Sequence, residues 1–278
     1  MKPTIEAHLR AAAEALETAG VENPARDARL IMRWVLDIDG AALATRSGEV
    51  MPEDAGRSFD AAVARRARRE PLSHITGVRT FWGRDFRVTP DVLDPRPETE
   101  CLVADALHRG PFENVLDLGT GTGCILLTLL EEWPSACGVG CDLSMPALAV
   151  ATANRDNLNL AGRCELIQSD WYARISGRFD LIVSNPPYIA EAEMRALSPE
   201  VLNHEPRAAL TPGGDGLSAY KAIAGGARTH LEPDGLLMVE IGPAQSHAVS
   251  AILVNAGLTV QAVIPDLDQR PRVVVAAR

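Results

Sequence analysis

From Pro111 onward, short apolar runs of strand length alternate with helical stretches, an order that few folds accommodate. Residues 115–118, 137–141, 164–168, 181–184, 236–241, 259–264 and 273–276 read as strands. Helical stretches at 124–131, 146–158, 218–230 and 244–255 separate most of them. A helix between consecutive strands returns the chain to the same end of the sheet, so those strands run parallel. The expected class is α/β, with a mostly parallel, doubly wound, Rossmann-like sheet.

The first 75 residues have a different texture and predict a small all-α domain. Ile5, Leu9, Ala12, Ala13 and Leu16 share one helical face, and Gly20 is a natural stop. Leu30, Ile31, Trp34, Val35 and Ile38 repeat the pattern, with Asp39-Gly40 read as a break. A third helix begins near Pro52, turns Phe59, Ala62 and Val63 inward, and ends in Arg65-Arg66-Ala67-Arg68-Arg69-Glu70. Residues 76–94 predict a β-hairpin connector, because the run from Phe81 to Val88 alternates around Gly83. Pro95-Arg96-Pro97 then stops a strand and opens a helix, and 95–278 reads as a second domain.

Charge narrows the partners. The chain has 27 Lys and Arg against 37 Asp and Glu, and residues 76–278 carry 16 against 25. Gripping a phosphate backbone draws on a basic face, so direct nucleic-acid binding is not expected. Five cysteines without a CxxC pair fit reduced thiols, with Cys137 and Cys141 read as core residues. The six histidines show no ligand spacing, and no metal site is expected. The N-terminus lacks the apolar segment of a signal peptide, and no run nears the roughly 18 apolar residues of a membrane span. A cytoplasmic protein without a membrane partner is the expectation.

Val115-Leu116-Asp117-Leu118-Gly119-Thr120-Gly121-Thr122-Gly123 is a buried strand running into a glycine-rich turn ahead of a helix. Such a turn lets backbone approach a ligand, and the helix end offers free N–H groups. A dinucleotide site prefers G-x-G-x-x-G, whereas this loop is G-x-G-x-G and follows an acid, Asp117. The acid suits the cationic amino-acid end of S-adenosylmethionine better than a pyrophosphate. Asp142 closes the next strand, where a carboxylate can accept from both ribose hydroxyls, although it could also cap the following helix. Asp170 and Trp171 follow the third strand, placed to take an adenine amino group and ring.

The fourth strand ends in Ser184-Asn185-Pro186-Pro187-Tyr188. Two prolines lock the backbone and donate no hydrogen bonds, so nearby carbonyls stay free as acceptors. The Asn185 side-chain oxygen and the Pro186 carbonyl could hold both hydrogens of an NH2 group, with Tyr188 flanking its plane. The nitrogen lone pair would then face a sulfonium methyl, which is catalysis by positioning and charge stabilisation.

These motifs resemble the peptide chain release factor N5-glutamine methyltransferases, the HemK/PrmC family, over nearly the whole chain. The resemblance also rests on Pro71-Leu72-Ser73-His74-Ile75-Thr76-Gly77, Phe81-Trp82-Gly83, Pro95-Arg96-Pro97-Glu98-Thr99-Glu100 and Val239-Glu240-Ile241-Gly242. It implies a class I methyltransferase domain that uses S-adenosylmethionine and releases S-adenosylhomocysteine. The acceptor it implies is the glutamine amide of the Gly-Gly-Gln motif in class 1 release factors. Carried over, Gly119, Thr120, Gly121, Thr122, Gly123, Asp142, Trp171 and Asn185 contact the cofactor. Asn185, Pro186, Pro187 and Tyr188 hold the amide, with Asn185, Pro186 and Tyr188 as the catalytic group. The helical domain becomes the substrate-recognition part.

N-P-P-Y also occurs in adenine-N6 methyltransferases, and a ribosomal-protein glutamine is another possible acceptor; the Arg96–Glu100 stretch and the acidic balance argue against nucleic acid. A binding module that kept the fold would be expected to show a damaged glycine loop or Asn185, and neither is damaged. The 65–69 arginine cluster reads as the solvated end of a helix, with contact to an acidic partner surface or to RNA as the alternative.

Overall fold

The structure, a computed structural model, describes residues 3–278. The chain divides into two compact units, one running to Gly77 and including Ser198–His204, the other comprising Val78–Leu197 and Glu205–Arg278. The sequence suggested 95–278 as one continuous span. The short helix Pro199–His204 instead packs with the helical unit.

The helical unit contains Ile5–Thr18, Pro24–Leu36, Gly40–Arg46, Glu53–Ala67 and Leu72–Thr76. Ile5, Leu16, Ile31, Met32 and Phe59 form its centre, each at most 1% exposed. Burying side chains of this kind contributes about 1.5–3 kcal/mol apiece. The second helix does break before Gly40, ending at Leu36, and Asp39 then opens a short helix not predicted from the sequence: its carboxylate accepts from Ala42 N at 2.8 Å as an N-cap. One expectation changes here. Trp34 does not face inward but is 46% exposed, because the buried stripe of its helix is Asp27, Ala28, Ile31 and Met32.

Asp27 is buried for a reason that also revises the arginine cluster. Arg66, itself buried, donates from Nε to Asp27 at 2.8 Å and from Nη1 to Glu200 at 3.0 Å. Arg69 grips Glu200 through Nε and Nη2 at 2.6 and 2.7 Å. Arg65 pairs with Glu70, and Arg68 alone of the four is exposed. The cluster is an internal ion network rather than a solvated helix end.

In the second unit, β1 (Val78–Phe81) and β2 (Arg84–Arg87) form an antiparallel ribbon. Trp82 and Gly83 both adopt positive φ, the two-residue turn that matches the twist of a hairpin. The main sheet contains β3 (Asn114–Leu118), β4 (Cys137–Asp142), β5 (Cys164–Gln168), β6 (Phe179–Ser184), β7 (Leu231–Glu240), β8 (Thr259–Pro265) and β9 (Pro271–Ala277). Their order is β5-β4-β3-β6-β7-β9-β8. The first five strands in that order run parallel, and β9 is antiparallel to both neighbours.

Alternating side chains feed two cores. Val115, Leu181, Val183, Met238, Val273 and Val275 pack on one face with the helices Glu100–Arg109 and Cys124–Glu132. Leu116, Ile182, Leu237, Val239, Val274 and Ala276 pack on the other with Ser218–His230 and Ser246–Asn255. Burial on both faces is why these strands read as continuous apolar runs. The chain leaves β3 toward β4 on one side and returns through β6 on the other, so the crevice between β3 and β6 is where an open α/β sheet binds ligands. Cys137 is exposed, contrary to its reading as core, since it is the first residue of its strand. All five cysteines are free. Among the described residues no helix is long and apolar enough to cross a membrane, and no group of His, Cys, Asp and Glu could hold a metal.

Candidate active site

At the carboxyl ends of β3, β4, β5 and β6 lies a cavity of about 500 Å³, large enough for a nucleoside-sized ligand. Gly119, Thr120, Gly121 and Thr122 form its floor, and Asp142, Leu143, Ser144 and Trp171 one wall. Arg96, Thr99, Asn185 and Pro187 lie on its lining as well, and Pro206, Ala208, Ala209 and Pro212 add small apolar groups.

The floor is fixed to the sheet. Gly119 N and Thr120 N both donate to Cys141 O, at 2.8 and 2.9 Å. Gly121 has φ +54, and a Cβ there would meet nothing within 4 Å, so open space faces its backbone. The Asp142 carboxylate accepts from Gly121 N at 3.0 Å and Ser144 N at 2.9 Å, tying the loop to β4. Burial raises the pKa of this carboxyl, and those N–H bonds pull it back down. Each of its oxygens keeps a lone pair for a further donor. Trp171 holds the uncommon φ of +47, pinned by Ser169 Oγ donating to its carbonyl at 2.8 Å.

Asn185 follows β6. Its Nδ2 donates to Thr99 Oγ1 at 3.2 Å, which leaves Oδ1 as an acceptor without a donor among the described residues. The next residues are held from behind. Gln245 Nε2 donates to the Tyr188 carbonyl at 2.8 Å, while Gln245 Oε1 accepts from Gly242 N at 3.0 Å and Tyr220 Oη at 3.2 Å. A Cβ on Gly216, where φ is +78, would run into that Tyr188 carbonyl.

The structure thus gathers Gly119, Thr120, Gly121, Thr122, Asp142, Trp171, Asn185 and Pro187 around one cavity. Gly123, Pro186 and Tyr188 do not line it. Gly123 meets the helix it opens, where a Cβ would lie 2.8 Å from Leu127 Cδ1. Pro186 is buried, and Tyr188 packs against the core on the β7 side of the sheet. Asp117 is also off the cavity: 1% exposed, it accepts the Thr120 hydroxyl at 2.7 Å and braces the loop from below. Burial lifts its pKa to about 7, and its Oδ1 has no hydrogen-bond partner among the described residues.

Sequence reasoning did not single out Thr99, Gln245 or the Arg96–Glu205 pair. Arg96 Nη2 reaches both Glu205 oxygens, at 2.8 and 2.6 Å, which anchors the 206–212 segment beside the proline-rich stretch. Leu143, 66% exposed, carried a signal that was available: it directly follows Asp142 at the end of β4 and lies on the cavity wall.

Residues 7–77 match the PrmC N-terminal domain family and residues 97–232 the methyltransferase small domain family. A release factor glutamine methyltransferase of Cereibacter sphaeroides is 54% identical over 96% of both chains. The protein of that name from Caulobacter vibrioides is 42% identical, covering 96% of this chain and 94% of the other. The chain belongs to the release factor glutamine methyltransferase family. Solved structures bear out the fold of this methyltransferase. A methyltransferase of Pyrococcus furiosus superposes with TM-score 0.56 at 17% identity, covering 77% of this chain and 98% of that one. A 16S rRNA methyltransferase of T. thermophilus, in complex with AdoMet and guanosine, gives 0.52 at 19% identity, covering 72% and 49%.

Proposed function

We propose that this methyltransferase transfers a methyl group from S-adenosylmethionine to the side-chain amide nitrogen of the glutamine in the Gly-Gly-Gln motif of class 1 release factors. The observation that carries the reading is Asn185: its nitrogen is engaged by Thr99, so an acceptor oxygen remains for an incoming N–H at the cavity. Bound S-adenosylmethionine supplies an electrophilic methyl on its sulfonium.

The open backbone face at Gly121, the spare acceptors of Asp142 and the broad ring of Trp171 fit the nucleoside half of that cofactor. The chain's task at the other half is orientation. The Asn185 oxygen takes one amide hydrogen, with the Pro186 carbonyl as the second acceptor, which turns the nitrogen lone pair toward the methyl and favours the positive charge that develops there. Gln245 keeps Tyr188 and the two prolines in place behind that contact. The small side chains at 206–212 leave room for a glycine-rich strand of protein beside the amide. The helical unit supplies contacts away from the reacting group, which selecting one glutamine among many requires.

Labelled S-adenosylmethionine, incubated with purified release factor, should label the native factor and not a variant lacking the Gly-Gly-Gln glutamine. Labelling that survives in the variant, or efficient labelling of DNA, overturns the reading. Asp142→Ala should weaken cofactor binding by roughly 1.5–3 kcal/mol, the contribution of hydrogen bonds to a charged acceptor. Calorimetric titration checks it, and undiminished binding would remove the ribose assignment.

A further inference from the structure

Leu267 is 100% exposed, more so than any other large apolar side chain among the described residues. It stands in the turn between β8 and β9. β9 runs antiparallel to β7 and pairs Val273 with Glu240, so this turn lies at the carboxyl end of β7, the end of the sheet at which the cavity opens. The strand leading to it changes character along its length. Its exposed residues are Thr259, Gln261, Val263 and Pro265, polar in the first half and apolar in the second. Val263, Pro265 and Leu267 thus carry apolar exposure toward the cavity end.

The turn is firmly held. Asp266 and Arg272 are each 7% exposed. The Asp266 carboxylate accepts from Asp268 N and Arg270 N, both at 3.0 Å, and from Arg272 Nη2 at 2.9 Å. Gln269 N donates to Asp266 O at 3.0 Å, and Gln269 keeps φ at +63, a left-handed conformation uncommon for a residue with a Cβ. Arg272 Nη1 reaches Ile241 O at 3.4 Å. Just beyond Ile241, Gly242 N donates to Gln245 Oε1, and Gln245 Nε2 holds the Tyr188 carbonyl. One stretch of chain, 241–245, therefore supports both the turn and Tyr188. A leucine left wholly in water contributes nothing to folding, whereas a rigid mount lowers the entropy lost when a partner covers it.

We propose that Leu267, with Val263 and Pro265, is a docking anchor for the protein that carries the methylated amide, seated in an apolar depression of that protein's surface. This rests on the release factor being the methyl acceptor. Distance favours such an occupant. β8 lies three strands from β6 in the sheet order, about 15 Å at the usual strand spacing. An interface of ordinary size, about 800 Å² on each partner, is about 30 Å across, so a protein that places a loop at Asn185 also reaches this turn. Asp268 and Arg270, both exposed, give the anchor a polar rim without net basic charge, which suits a protein surface better than a phosphate backbone. Pro265 and two register irregularities spoil β8 as an edge for an added strand, so side chains make the contact.

The test places a benzophenone side chain at position 267 of the full-length protein, irradiated with purified release factor and S-adenosylhomocysteine. A crosslink to the release factor is expected from 267, and none from the same group at 261, the exposed polar position earlier in β8. In steady-state methylation, Leu267→Asp should raise the KM for release factor about 10-fold, the scale on which losing one interface anchor acts. Its kcat and its calorimetric affinity for S-adenosylmethionine should hold, and Leu267→Met should behave as native. Leu267 is fully exposed, so both variants should keep the native unfolding midpoint. No crosslink from 267, equal crosslinking from 261, or an unchanged KM in Leu267→Asp each overturns the proposal. So does a crosslink that joins two copies of this chain, with a dimer in sedimentation that Leu267→Asp dissociates. A release factor that crosslinks at 267 yet takes no label from the native protein would leave the docking surface standing and sink the functional reading.

Discussion

Replacing Asn185 with alanine is expected to lower turnover about 100-fold, the scale of loss when a nucleophile is misplaced by an ångström. The variant removes the side-chain acceptor that the end of β6 delivers to the cavity, on the lining beside Pro187. Ser184, the hydroxyl just before Asn185 in the chain, is committed to Leu118 O at 2.6 Å. Affinity for S-adenosylmethionine should fall much less, because the loop, Asp142 and Trp171 remain. Saturating-cofactor rates together with calorimetric titration separate the two. A loss confined to cofactor affinity, with kcat preserved, would make Asn185 a binding residue and leave the orientation argument without its main support.

The contrast between Asn185 and Thr99 shows what a sequence can disclose of such a site. Strand ends followed by glycines, an acid or Asn-Pro-Pro are local signals, because one stretch of chain supplies both the strand and the group it delivers. The parallel sheet therefore reads directly, and so do Gly121, Asp142 and Asn185. The partners that orient those groups come from far along the chain: Thr99 stands 86 positions from Asn185, Gln245 57 from Tyr188, and Glu205 109 from Arg96. No periodicity or spacing rule reaches that distance. Local rules also misjudge residues whose partner is distant. Asp27 and Arg66 look like surface charges until their pairing, 39 positions apart, shows both buried. Gly123 looks like a ligand glycine, yet the contact its missing side chain permits is with Leu127.

Arg66→Met is the substitution expected to affect stability most. It keeps the apolar stem in the helical core and removes the guanidinium that Asp27 and Glu200 share. Arg69 still holds Glu200, so Asp27, 7% exposed, is the charge left alone. Breaking a buried pair in this way costs about 3–5 kcal/mol, a large part of the 5–15 kcal/mol that keeps a domain folded. Trp34 is the tryptophan of the helical unit, so urea unfolding followed by its fluorescence reports that unit. The midpoint should drop sharply in Arg66→Met and recover when Asp27→Leu is added, since an apolar pair replaces both charges. Acid should act on the same network. Burial alone would raise the pKa of Glu200, but hydrogen bonds from Arg69 and Arg66 outweigh it and hold the carboxyl near 2, below its usual 4.5. A depressed carboxyl contributes stability that is complete above the unfolded value and disappears as pH falls through the folded one. The native helical unit should therefore weaken between about pH 4.5 and pH 2, and the Arg66→Met variant less steeply. Cofactor titration should be unaltered at neutral pH, because every cavity-lining residue lies in the other unit. If the helices recognise the release factor, its methylation falls with their stability while cofactor binding holds. Methylation at the native rate by a variant whose helical unit is shown to be unfolded would end the recognition role.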